Sequence, residues 1–239
     1  NTNPKKWGPR LEPIASPVDA IIYELHIRDF TISPTSGVTN KGKFLGVVEE
    51  GTLSVNGDRT GLDYLKELGV SHVQILPMAD FSTVNELKPL EQYNWGYDPQ
   101  NFNVPEGSYA TNPYQPEVRI LEMKEMIQGL HDAGIRVIMD VVYNHVYLPK
   151  LHALEKTVPG YYFRKNADGT LSNGTGVGND TASERYMMRK YIIDSITYWA
   201  KNFHLDGFRF DLMGIHDIET MNEIRIALDE IDPSIIMLG

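Results

Sequence analysis

Short β-rich runs alternate with helical patterns along this chain, and that alternation limits the fold more than any other feature. Residues 20–28 read as a buried strand, and residues 60–68 as a short helix closed by Gly69. A strand over 70–76 ends at Pro77, and a long aromatic loop follows over 78–116. Ile120, Met123, Ile127 and Leu130 recur at helical spacing and predict a helix over 117–133, stopped by Gly134. A strand over 136–142 leads into a Gly-rich loop over 146–180. Thr181, three residues before Glu184, predicts a capping box at the start of the next helix. The apolar stripe of that helix is Met188, Ile192, Ile196, Trp199 and Phe203. A strand over 207–211, a helix over 218–228, Pro233 and a last strand over 235–238 complete the chain.

Repeated βα units imply a parallel sheet with right-handed crossovers. A doubly wound open sheet and a (β/α)8 barrel both fit, and both place their sites at strand C-termini. Polar residues cluster there: Asp29, Asp80, Asn144, His145 and Asp211. No phosphate-binding turn follows the first strand, which favours the barrel. The expected fold class is therefore α/β. Residues 20–239 would be the N-terminal part of a (β/α)8 TIM barrel, about five of its eight units, cut short at the C-terminus. Residues 1–19 would be an N-terminal extension or interdomain segment. Five strands leave two sheet edges open, so the isolated chain is expected to be poorly stable or to associate.

Composition excludes several functions. The net charge is −10, from 22 basic and 32 acidic residues, and an acidic surface repels nucleic acid. There is no cysteine, hence no disulfide, thiolate metal site or cysteine nucleophile. No apolar run approaches the ~18 residues of a membrane span. The first ten residues are polar, lack a signal-peptide core and do not start with Met, so the chain is expected to begin inside a longer protein.

Three segments carry groups suited to chemistry. Asp140-Val-Val-Tyr-Asn-His145 places an Asp near the end of an apolar strand and a His as the chain leaves it. A buried Asp needs a partner, so Asp140 alone reads more readily as a paired structural carboxylate. In Asp206-Gly-Phe-Arg-Phe-Asp211, Arg209 and Asp211 are two apart on a strand and share a face. A buried ion pair is a poor source of stability. An Arg beside a carboxylate favours the charged form that a glycosidic nucleophile needs. Tyr93-Asn-Trp-Gly-Tyr-Asp-Pro99 combines aromatic faces with amide and carboxylate groups, as a sugar subsite would, or as a self-packed loop would. Gly174-Thr-Gly-Val-Gly178 has no Lys-Ser/Thr and follows no strand, so it is not a phosphate loop. Zinc-protease spacing and the Gly-x-Ser-x-Gly elbow are absent. His204 reads as structural, and His216 is left open.

These three segments resemble signature segments of the alpha-amylase superfamily of glycoside hydrolases, and the last resembles the mark of type I pullulanases. The similarity runs from about residue 20 to residue 239. It implies that Asp211 is the nucleophile and that Arg209 orients it. It further implies that His145 bonds the sugar at the cleavage point, Tyr97 is the platform beneath it, and Asp140 supports Arg209. Asn94, Trp95, Asp98, Met213 and Gly214 are weaker subsite candidates.

The family's general acid is a Glu commonly placed just after Leu-Gly, and this chain ends at Leu238-Gly239. The fragment alone is thus expected to lack the acid and to be inactive. The resemblance implies retaining hydrolysis of α-1,6 linkages in pullulan and branched α-glucans by the full-length parent. Its alternatives are an α-1,4-acting amylase or isoamylase-type hydrolase and a non-catalytic glucan-binding relative. The expected partners are an α-glucan and the rest of the parent chain. No cofactor is expected beyond a structural Ca2+, for which no ligand spacing stands out. The resemblance is to bacterial-type enzymes and leaves the compartment open between secreted, cell-surface and cytoplasmic.

Overall fold

The computed structural model describes residues 2–89 and 91–239; Asn1 of the polar leading segment and Leu90 of the long loop lie outside the described residues. The chain runs β1 (Ile22–Leu25), α1 (Ile27–Thr31), α2 (Phe44–Val47), α3 (Gly61–Leu68), β2 (His72–Ile75), β3 (Ala79–Phe81) and β4 (Pro99–Pro105). It continues through α4 (Pro116–Asp132), β5 (Arg136–Val141), α5 (Ala153–Thr157), α6 (Tyr186–Phe203), β6 (Gly207–Phe210), α7 (Ile218–Asp229) and β7 (Ile236–Leu238). Five strands form one parallel sheet in the order β1-β2-β5-β6-β7. That order follows the sequence without reversal. A doubly wound sheet reverses at a switch point, whereas a barrel steps steadily round. The sheet is therefore a run of barrel staves, with β1 and β7 at its two edges among the described residues.

Alternation along each strand sorts the side chains. Val73, Ile75, Val137, Met139, Phe208 and Phe210 face the helices and are buried. Met123, Met126, Ile127 and Leu130 of α4 cover that face, as do Met188, Ile192, Ile196, Trp199 and Phe203 of α6. Each such side chain stabilises the fold by about 1.5–3 kcal/mol through burial alone. The positions between them turn the other way. Gln74 donates to Glu24 across neighbouring strands at 2.7 Å, and Asp140 pairs in register with Arg209. Burial of Trp199 also demands a partner for its indole N–H, and the carbonyl of Phe102 on β4 accepts it at 2.9 Å. This bond ties the β3–β4 excursion to the helical layer.

Several expected boundaries shift for physical reasons. The first strand stops at Leu25, because the His26 ring accepts the N–H of Asp29 and caps α1. The 78–116 loop contains an antiparallel β3–β4 pair, with Pro99, Phe102 and Pro105 as the buried positions of β4. That three-residue spacing hides a strand from a search for alternation. The Thr181–Glu184 capping box is not formed. α6 starts at Tyr186, and Arg185 makes no side-chain cap. Thr181 is used elsewhere: its hydroxyl donates to the Tyr143 carbonyl at 2.6 Å and its N–H to that of Asn144 at 2.9 Å. Two glycines act as expected. Gly69 (φ 72°) and Gly134 (φ 78°) terminate α3 and α4 in the left-handed region, where a side chain would be strained.

Candidate active site

The site is assembled where β5 and β6 end. Register puts Asp140 beside Arg209, and the next positions on each strand lead to Asn144 and Asp211. Asp140 is 1% exposed, so its charge must be met inside the protein. Arg209 Nη1 donates both to Asp140 Oδ2 at 2.9 Å and to Asp211 Oδ1 at 3.0 Å. The Tyr97 hydroxyl, carried in by the aromatic loop, donates to Asp140 Oδ2 at 2.8 Å. Burial raises the Asp140 carboxyl to about 6, against the downward pull of the Tyr97 hydroxyl and Arg209. Burial, then the Asp140 charge, push the Tyr97 phenol upward. Burial alone would lower Arg209, but Asp140, Tyr97 and Asp211 together outweigh it and the guanidinium is raised.

Asn144 holds Asp211 from the other side. Its amide nitrogen donates to the Asp211 carbonyl at 2.7 Å and to Oδ2 at 3.0 Å. Its amide oxygen lies 2.5 Å from His145 Nδ1. His145 Nε2 reaches the Tyr97 carbonyl at 2.8 Å. Tyr97, Asp140, Arg209, Asp211, Asn144 and His145 thus form a closed ring of hydrogen bonds. Just past it, Leu212 takes a left-handed turn (φ 45°), a costly conformation for a bulky side chain. A tight 3-10 turn, Met213–Ile215, follows.

The ring brings together five residues expected from sequence: Tyr97, Asp140, His145, Arg209 and Asp211. It does not include Asp29, which is exposed beside Arg28, or Asp80, which accepts from Asn101 at 2.6 Å. Asn94 and Asp98 are committed to shaping the loop. Asn94 bonds Asp98, Thr83 and the N–H of Gly96, and Asp98 also accepts from Thr83. Trp95 is 59% exposed, edge-on to Tyr93 at the loop surface. Met213 lies against Gly239, so the tips of β6 and β7 are neighbours. His204 is stacked on Trp7 at 4.4 Å, which fits its structural reading. His216 is buried with neither ring nitrogen bonded among the described residues, and burial followed by Arg164 lowers it to about 4.

Asn144 was visible in the sequence as a polar residue at a strand end, but its hold on Asp211 was not. Asn179 and Thr181 were missed. They bond Val146 and Asn144 and fasten the Gly-rich loop to the strand end beneath the site. Among the described residues, Asp80, Glu86 and Glu106 bring carboxylate oxygens within 4.8 Å of one another. Bonds from Asn101, Arg119 and the N–H groups of Phe81 and Ser108 account for that cluster.

The sequence profile of the alpha amylase catalytic domain matches residues 28–159. The chain is 53% identical over 234 residues to the pullulanase of Bacillus subtilis (strain 168), covering 98% of this chain and 33% of that protein. It resembles the solved pullulanase of Paenibacillus barengoltzii in complex with maltohexaose and alpha-cyclodextrin, with TM-score 0.94 and 60% identity over 98% of this chain and 37% of that one. The pullulanase of Anoxybacillus sp. LM18-11 complexed with maltotriose aligns with TM-score 0.95 and 59% identity, over 97% of this chain and 33% of that one. The chain therefore spans about a third of the length of the curated relative named above.

Proposed function

Since this chain belongs to the alpha-amylase family through its catalytic domain, we propose that it carries the nucleophilic half of a retaining glycoside hydrolase that cleaves α-1,6 branch linkages in α-glucans such as pullulan. The observation that carries the reading is the double support of Asp211, with Arg209 on one carboxylate oxygen and Asn144 on the other. A carboxylate held in this way at a strand C-terminus has one fixed direction of attack. The likeness to pullulanases, rather than the site alone, is what supports the choice of the α-1,6 bond.

In this reading Asp211 attacks the anomeric carbon and forms a glycosyl-enzyme bond as the glycosidic C–O bond breaks. A second carboxylic acid protonates the departing oxygen and later takes a proton from the water that releases the sugar. Retaining geometry sets the two carboxyl groups about 5–5.5 Å apart. The tip of β7 adjoins Met213, close behind Asp211, so an acid carried just past Gly239 in the longer protein would stand next to the nucleophile. The 239 residues by themselves are accordingly proposed to be inactive.

Replacing Asp211 by Asn in the full-length protein keeps shape and removes the attacking charge. We expect pullulan hydrolysis, read as new reducing ends, to fall by about three orders of magnitude or more, with the unfolding midpoint little changed. Activity within tenfold of wild type would place the nucleophile elsewhere. Turnover by the 239-residue chain alone would show that the acid lies within it.

A further inference from the structure

The hydrogen-bond ring fixes not only positions but protons. Asn144 is wholly buried, and its amide faces two oxygens of Asp211, a main-chain carbonyl and a carboxylate oxygen. Neither can donate, so the amide nitrogen must point at them. A flipped amide would set oxygen against oxygen at 2.7 and 3.0 Å. The amide oxygen is therefore the atom that meets His145 Nδ1, and an amide oxygen only accepts. Nδ1 must carry a proton. The other ring nitrogen, Nε2, meets the Tyr97 carbonyl, which also only accepts, so Nε2 must carry a proton as well. A neutral imidazole has one proton for these two places. Either neutral tautomer leaves a bare nitrogen lone pair pressed against an oxygen lone pair.

We infer that His145 is a doubly protonated imidazolium in the working site and that this proton, relayed through the Asn144 amide, locks the orientation of Asp211. His145 is then a positioning residue. Both of its nitrogens meet protein acceptors, and through the Asn144 amide it acts on the nucleophile.

The charge balance agrees. Asp140 is surrounded by donors, the Tyr97 hydroxyl and Arg209, and its ionised form suits them. Two cations, Arg209 and His145, then face two anions, Asp140 and Asp211, and the ring is neutral overall. The groups that reach His145 from the surrounding elements are Asp211 at the end of β6, Asp98 of the aromatic loop, Asp180 of the loop before α6 and the Tyr97 carbonyl. All four favour the cation. Burial opposes them and leaves the ring below the ordinary histidine value. Burial also raises Asp140 to about 6. The doubly protonated ring is therefore favoured on the acid side of the ordinary histidine value. As pH rises His145 sheds one proton, and one of its two contacts, to the Asn144 amide oxygen or the Tyr97 carbonyl, sets lone pair against lone pair; where it is the first, Asp211 loses its second support.

The direct test is the ring itself, in the full-length protein labelled with ¹⁵N-histidine, with the His145 signals assigned by their loss in His145→Gln. Between about pH 4.5 and 8, the two ring nitrogens should both read as protonated at the acid end, and one of them should turn bare as pH rises. One protonated and one bare nitrogen at the acid end would overturn the inference. This measurement does not depend on Asp211 being the nucleophile. The activity arm does rest on that reading. A glutamine side chain cannot titrate, so His145→Gln should lower kcat by about tenfold to a hundredfold, the size of one lost bond to a charged group, with KM little changed. The fall in activity toward higher pH should flatten or move. A basic limb that stays in place in His145→Gln would overturn the relay to Asp211.

Discussion

Along β5 and β6, neighbouring residues serve opposite ends. Met139 and Phe208 face the helices, make no polar contact through their side chains, and are fully buried. Asp140 and Arg209, one position further along each strand, face the other way and pair a buried carboxylate with a half-buried guanidinium, an arrangement that stabilises a fold poorly. The first set gains free energy by leaving water. The second loses hydration and recovers it only through a complete set of bonds. Two neighbouring residues on one strand thus separate stability from chemistry, because the strand period is two. If this separation is real, damage to one face should leave the other face's observable almost untouched.

The largest expected effect is on the helix-facing side. Phe208→Ala empties a fully buried site beneath the helical layer. We expect about 3–5 kcal/mol of lost stability in denaturant unfolding of the full-length protein. The pH profile of the surviving activity should not move. A shifted profile would mean that packing on the helix side positions the charged ring, and the separation would fail.

Asp140→Asn probes the charged side. Its ordinary carboxyl value is 3.8 and burial raises it to about 6 in the fold. A raised acid stabilises the fold fully below its ordinary value, and that contribution is lost as pH rises through about 6. The wild-type protein should therefore lose stability between those two values through this residue, by about 1–3 kcal/mol. Asn has no such titration, so the difference in unfolding free energy between the two ends of that window should shrink. Activity should drop in the same variant, because Arg209 keeps only Asp211 as an anionic partner. A variant with an unchanged stability profile would show that Asp140 is not held at a raised value.

How far the sequence foretold this arrangement depends on what each inference needs. The sheet was legible because apolar strands and helical stripes have characteristic periods, and Met188 to Phe203 do form a buried stripe. The meeting of Asp140 and Arg209 was expected from the family resemblance, with Arg209 and Asp211 already placed on one face by strand spacing. Contacts between loops and strand ends were not legible. Thr181 fits a capping box by spacing, yet two carbonyls at the end of β5 claimed it first. Asn94 and Asp98 look like sugar-binding groups by type, and the bonds to each other and to Thr83 by which they also shape the loop could not be seen in the sequence. The left-handed turn at Leu212 has no sequence mark, since leucine rarely adopts it. Asn144 shows why a ring is harder to see than a pair: its amide reaches a residue 67 positions away and its immediate neighbour at once.

The smallest effect lies where the two faces of a single aromatic residue are compared. Tyr97 has a ring positioned by the loop and a hydroxyl bonded to Asp140. Tyr97→Phe keeps the ring and deletes only the bond. Asp140 then retains Arg209 as its donor, so the loss should be that of one hydrogen bond to a charged group, about tenfold in kcat. Tyr97→Ala removes the ring as well. If that ring lies beneath the sugar being cleaved, it favours the positive charge that develops as the sugar flattens, much as aromatic faces favour cations. The further loss should then appear in kcat rather than in KM, because contacts that strengthen in the transition state raise kcat. Trp95 is the internal control. It is exposed on the same loop and packs edge-on against Tyr93. Trp95→Ala should change kcat by less than about threefold, the ordinary range for a surface substitution. Steady-state kinetics on a branched oligosaccharide compares the three variants. Were Tyr97→Ala to change KM alone, the ring would belong to an outlying subsite. Tyr97 would then join the charged network only through its hydroxyl, and the aromatic loop would be a scaffold for Asp140 instead of a platform for substrate.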